Sequence, residues 1–180
     1  PSGIDDYCLQ NRNFLRDGVA QGALGTINTT WDDDGENLGG GHWHGFLWGA
    51  ECAWNGGTTT PEDFNRRVWA VCFGEAGDHF GQAVTRLGQA CSLPGLGGMM
   101  NRRFWELDTA DCPVSEAVSR AQAAAILALV TPAVEHLRAL QAEATASQHA
   151  AAVMLFGAER LQLIGERLIV VLDAARAAER

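Results

Sequence analysis

Apolar residues recur at helical spacing along most of the chain. Ile4, Cys8, Leu15 and Val19 can share one face of a helix over 4–21, which Gly22 and Gly25 then end. Positions 43, 46, 47, 50, 53 and 54 are apolar, so 43–55 predicts a second helix. Thr60-Pro61-Glu62-Asp63 reads as a helix start, with Thr as N-cap, Pro at the first position and acids in the first turn. That helix is predicted to run to about Phe73, and another to cover 76–90. Two long helices are expected over 114–145 and 147–178, with Pro132 kinking or interrupting the first. Met154, Leu155, Leu161, Leu163, Ile164, Leu168, Ile169 and Leu172 supply the apolar positions of the second. Together they predict an antiparallel helical hairpin against which the helices of 62–90 pack.

One stretch departs from this period. Ala23–Trp31 is short, rich in Thr and β-branched residues, and predicts a strand. It runs into a polar loop over 32–42, Asp-Asp-Asp-Gly-Glu-Asn-Leu-Gly-Gly-Gly-His. A second loop is expected over 91–100, around Pro94.

Composition divides the chain near residue 110. All six Trp and 19 of the 21 Gly precede it, whereas 19 Ala crowd the last 70 residues. A loop-rich region that could carry a site is thus followed by a simpler helical one. With 180 residues, 47% of them hydrophobic, the chain has the makings of a globular core and is not a disordered polyelectrolyte. The longest apolar stretches, such as 121–130 and 168–172, fall short of the roughly 20 residues of a spanning helix, so no membrane partner is expected. Net charge is −9 and all 13 basic residues are Arg, which argues against a nucleic-acid partner. Five cysteines without a CxxC pair suit neither a disulfide scaffold nor a zinc ribbon. The sequence opens on Pro-Ser-Gly with no signal-peptide pattern, which suggests an excerpt of a longer protein and leaves the compartment open.

The densest chemistry lies in Thr29-Thr30-Trp31-Asp32-Asp33-Asp34-Gly35-Glu36-Asn37, four acids and an indole where the predicted strand ends. In a parallel α/β architecture that end of a strand faces the active site. Carboxylates there can accept hydrogen bonds from sugar hydroxyls, hold a cation or do acid–base work, and an indole offers a flat face to a sugar ring. A solvated acidic turn is the alternative reading. Three adjacent Asp do not match the alternating ligands of an EF-hand, and His42 and His44 diverge with no third ligand nearby, so no metal is expected. The Gly39-Gly40-Gly41 run lacks the spacing of a phosphate-binding loop. Asn28-Thr29-Thr30 fits a glycosylation sequon but lies within the predicted strand. Trp54, Trp69 and Trp105 are expected to be packing residues.

The order helix, Ala-Leu-Gly-Thr-Ile-Asn-Thr-Thr-Trp-Asp-Asp-Asp-Gly-Glu, then Trp-His-Gly-Phe-Leu-Trp-Gly-Ala-Glu-Cys-Ala-Trp-Asn resembles the last strand and helix of a glycoside hydrolase family 20 barrel. Members of that family are β-N-acetylhexosaminidases. Their final strand typically ends in Trp-x-Glu, and the Trp31-Asp32-Asp33 variant followed by a helical tail is similar to the bacterial exo-N-acetylglucosaminidase branch. Motif support covers about residues 4–56, and 60–180 only by analogy with the tail. The family's adjacent Asp-Glu pair occurs nowhere in the chain and is expected upstream of it.

The resemblance implies substrate-assisted retention. The upstream Glu protonates the glycosidic oxygen, and the substrate acetamide, oriented by the upstream Asp, attacks the anomeric carbon. It implies that Trp31 lines the terminal-sugar pocket and that Asp33 binds sugar hydroxyls where the family uses Glu. Asp is one methylene shorter, so Asp34 or Glu36 is placed to share that role. No cofactor is required. The expected fold is mostly α: the last βα unit of a truncated (β/α)8 barrel over 1–58, then a helical C-terminal domain over 59–180. The expected partner is an N-acetylhexosamine-containing glycan, with a homo-oligomer possible through the helical domain. The alternative function is a helical interaction or oligomerisation module without catalysis.

Overall fold

The structure, a computed structural model, describes residues 4–29, 43–74, 77–93 and 116–178. The chain is mostly helical. In order come α1 (Ile4–Ala20), α2 (Trp43–Asn55), α3 (Pro61–Val68), a π-helical turn (Trp69–Phe73), α4 (His79–Cys91), α5 (Glu116–Glu143) and α6 (Gln148–Ala178). Among the described residues there is no strand.

The helix start expected at Thr60 is formed by the chemistry anticipated for it. Thr60, in extended conformation, accepts from the Asp63 amide at 3.2 Å, and Pro61 occupies the first turn. The helix does not end where an α-helix would. It widens into the π turn and stops at Gly74, whose φ of 66° a side-chain-bearing residue rarely adopts. The turn at 144–147 folds back onto this end, with the Thr145 amide donating to the Phe73 carbonyl at 2.9 Å.

The helices α5 and α6 form the expected antiparallel hairpin. Arg138 pairs with Glu159 at 2.9 Å and Arg120 with Asp173 at 2.6 Å, so residues advance along one helix as they recede along the other. Ala151, Ala158, Gly165 and Leu172, seven residues apart, are buried on the inward face of α6. A Cβ on Gly165 would stand 2.9 Å from Leu127 Cγ, which shows how closely the helices approach. Pro132 does not interrupt α5. Its missing N–H releases the carbonyl of Ala128, and Ala128 is exposed, so water can take that bond. The stretch Arg120–Glu143 is long and apolar enough to cross a membrane by length and mean hydropathy (1.4), because interspersed polar residues do not offset its Ala, Leu and Val. In this fold its Val130, Val134, Leu137 and Leu140 are buried in the core.

One core cluster runs from the N-terminal helices to the hairpin. Cys8, Trp48 and Cys52 belong to it together with Phe64, Phe80, Val84, Leu137 and Ile164, so packing is continuous across residues 58 and 59. Trp48 is its largest fully buried side chain.

The strand predicted over 23–31 is not formed in its described part. Residues 23–29 are non-helical, and 24–27 are exposed. A strand needs a neighbour to pair its N–H and C=O groups, and no described segment lies alongside to do so. The amides of 24–29 should therefore exchange with solvent within seconds to minutes, whereas those of 126–140 and 158–171 report global unfolding. Mass-spectrometric hydrogen exchange reads both, and equal protection would contradict this packing. Replacing Trp48 by Ala should lower stability by about 3–5 kcal/mol in urea unfolding, with Trp48→Phe milder.

Candidate functional site

Trp31, Asp33, Asp34 and Glu36, with Asp32, His42 and Trp105, lie outside the described residues. What the structure describes is the frame on either side of the acidic loop. On the entry side the chain leaves α1 through Gly22, at φ 81°, and the Ala23 amide donates to the Gly18 carbonyl at 2.9 Å. Asn28 then anchors the segment to α2, its Nδ2 donating to the Gly45 carbonyl at 3.1 Å. Gly49 makes room for this. A Cβ there would fall 2.3 Å from Asn28 Nδ2. The sequon asparagine is thus part-buried and engaged with the protein, not presented as an acceptor for glycan.

On the exit side the structure revises two expectations. The apolar positions 43, 50, 53 and 54 do not face the core; Trp54 is 92% exposed, and the buried face of α2 is Trp48, Gly49 and Cys52. Because this helix is apolar nearly all round, periodicity alone could not choose its inner face. Trp54 is therefore not a packing residue, whereas Trp69 does pack against the core. Phe14, Val19, Leu24 and Ile27 are also exposed, the last two at 106% and 88%. With Cys52 and Ala53 they line an open apolar hollow between α1, the 23–29 segment and α2.

Glu51 and His44 show what the polar groups on α2 do. The Glu51 carboxylate accepts from Thr59 at 2.7 Å and Asn55 at 2.8 Å and pairs with Arg67. These bonds, that from Arg67 foremost, hold its carboxyl below the usual range against the opposing effect of burial. All of these bonds fall on its Oε1, which makes it a structural anion tying α2 to Thr59 and to the last turn of α3. His44 Nε2 is 2.7 Å from Asn65 Oδ1, and its ring meets Phe64 and Phe80 at centroid distances of 5.4 and 5.8 Å. It stands in the wall of a cavity of about 240 Å³ between α2, the π turn, α4 and the start of α6. Trp43, Leu47, Val68, Cys72, Phe73, Phe80, Ser147, Ala150 and Met154 complete the lining. Burial pushes the Cys72 thiol up, so it is neutral near pH 7.

A second titratable pair joins α4 to α5. His79 and His136 approach Nδ1 to Nδ1 at 3.1 Å, and Glu143 lies 3.8 Å from His79 Nε2. Desolvation first, then Arg86 and His79, hold His136 below its ordinary value, while Asp78 and Glu135 oppose them. Among the described residues no group of three His, Cys, Asp or Glu is placed to hold a metal ion, and four cysteines, Cys8, Cys52, Cys72 and Cys91, are free thiols.

Neither the cavity nor the Glu51 cluster was visible in the sequence. Their residues come from several elements, and the one available hint for Glu51 was its position amid an apolar helix. Comparison with protein-family models, with curated proteins and with solved structures finds no match.

The Glu51 cluster has a predictable pH signature. Its folded-state pKa is lowered, so its contribution is complete above about pH 4.5 and is lost as pH falls through the folded value. Arg67 is half exposed, which limits that contribution to about 1 kcal/mol or less. Urea midpoints of the wild type and Glu51→Gln should differ at pH 7 and converge toward pH 3. A constant gap would show that the carboxylate's charge is not what matters.

Proposed function

We propose that the chain is the C-terminal part of a hexosaminidase-like glycoside hydrolase, in which the segment beginning at Ala23 and ending at Trp31 is the last barrel strand and α2 the last barrel helix. The observation that carries this reading is the unpaired segment 23–29. It leaves a helix, runs non-helically with Leu24 and Ile27 outward, and leads within two residues to Trp31 and the acids. The exposed apolar face of α2, with Trp43 and Trp54 on it, is the kind of surface that adjoining barrel helices and strands would cover. On this reading residues 1–58 complete the barrel, 59–180 form the helical appendage, and the acetamide-orienting Asp and the acid Glu come from upstream. Trp31 supports the terminal sugar, Asp33 accepts from its hydroxyls, and Asp34 or Glu36 shares the load. No step needs a cofactor.

The helical-module alternative keeps one observation of its own. Phe156, Leu163 and Val170, seven residues apart, are exposed along the outer face of α6. That is the spacing with which a helix presents a seam to a second copy. Sedimentation of the chain and of Leu163→Glu decides whether it does: a concentration-dependent dimer lost in the variant supports the module.

The hydrolase reading is tested in the protein encoded by the complete open reading frame, with an aryl N-acetyl-β-glucosaminide as substrate. Trp31→Ala and Asp33→Asn should each lower kcat/KM by roughly 10- to 150-fold, the equivalent of about 1.5–3 kcal/mol, without changing the melting temperature. Asp32→Asn should matter less, because neighbouring strand residues point to opposite faces. The 180-residue chain alone should not turn the substrate over. If no substitution among Asp32, Asp33, Asp34 and Glu36 alters the kinetics, the loop is a solvated turn and the sugar-binding reading fails.

A further inference from the structure

The cavity beside His44 has a built character that the acidic loop does not explain. Its floor is buried: Val68, Phe73 and Phe80 are each less than a tenth exposed. Its rim is open, with Trp43 and Ser147 both exposed. Among the described residues that line it there is no carboxylate, guanidinium or ammonium group. A charged guest would therefore lose its hydration without a counter-charge, and only a neutral one is accommodated at low cost.

Two unusual backbone features meet at this wall. The π turn supplies Cys72 and Phe73, and such turns concentrate at functional sites because they displace side chains from regular helical positions. Across from it Ser147 has a φ of 51°, the one non-glycine residue in the left-handed region among those described. Holding a serine there costs about 1 kcal/mol or more, so the surrounding contacts impose it. The Thr145–Phe73 hydrogen bond ties the two features into one wall. Ser147 is consequently held at the rim of an apolar hollow, where it is the one hydroxyl-bearing residue of the described lining.

Size narrows the guest further. An apolar cavity of about 150 Å³ holds a six-carbon ring, so about 240 Å³ suits a ring system of roughly nine or ten non-hydrogen atoms. We propose that this cavity is a binding site for a small neutral aromatic molecule, its ring inserted between Phe80, Leu47 and Met154 and its one polar edge at Ser147. The lining residues are separate from the acidic loop, so that loop and this cavity can succeed or fail separately; only Trp43, at the rim, also lies on the α2 face that the glycosidase reading covers.

The probes are indole and p-cresol, with p-toluate as the charged analogue of cresol. In protein labelled at its methionine and alanine methyls, indole and p-cresol should shift the Met154 and Ala150 resonances saturably, and p-toluate should not. Ala150→Leu places a branched side chain in the hollow and should weaken indole binding by at least about tenfold while leaving the melting temperature equal or higher. Ala150→Val serves if the larger residue prevents folding, with a smaller loss of the same sign. The absence of saturable shifts, equal binding of p-toluate, or unchanged affinity in a folded filling variant would each overturn the proposal.

Discussion

The arrangement of the N-terminal half hangs on the burial of one indole. Trp48 is completely enclosed, its Nε1–H donating to the Cys8 carbonyl at 2.8 Å and its ring meeting Phe64 edge-on at 5.1 Å. Three helices, α1, α2 and α3, are thereby fixed around a single side chain. A buried indole N–H without an acceptor would cost about 1–3 kcal/mol, so the Cys8 carbonyl sets the height of α1 as firmly as shape does. From Phe64 the contacts pass through His44 to Phe80 and Phe73, an unbroken run of rings leading to the hairpin. The cavity lies where that run meets the turn between α5 and α6, so its wall inherits the position of Trp48.

Helices were legible in the sequence because their signals are local. A Thr N-cap, a Pro at the first turn and a three-to-four-residue apolar spacing act within a few residues of one another, and the bounds that fall within the described residues differ from those expected by three residues or fewer when the π turn is taken with α3. The failures arose where distant partners decide. The inner face of α2 is chosen by α1 and α3, which no pattern within Trp43–Asn55 encodes. Segment 23–29 has strand-forming residues, yet a strand exists only through its neighbour. Pro132 does not interrupt α5, because its freed carbonyl partner is on the wet side of the helix. The candidate cavity was invisible for the same reason as the face of α2. Its lining is scattered from Trp43 to Met154 and assembles only in three dimensions.

The frame around the acidic loop divides its labour. Glu51, Asn55 and Thr59 fix the far end of α2, and Arg67 links that cluster to α3. At the near end Asn28 and His44 hold the two chains that enter and leave the loop, one to Gly45 and the other to Asn65. Charges are thus spent on bracing the helix, while neutral amides and an imidazole grip the segments nearest the acids.

The pairing of Asn28 with Gly49 makes these two positions genetically interdependent. A methyl group at 49 would occupy the space of the Asn28 amide, so Gly49→Ala forces that side chain off the Gly45 carbonyl and frees the segment that delivers the acidic loop. With Asn28→Ala already in place, the same methyl group would no longer meet that amide. Alanine at 49 is therefore better tolerated once asparagine at 28 is gone, and the cost of the first step alone would be the lost tether of a loop neither residue belongs to.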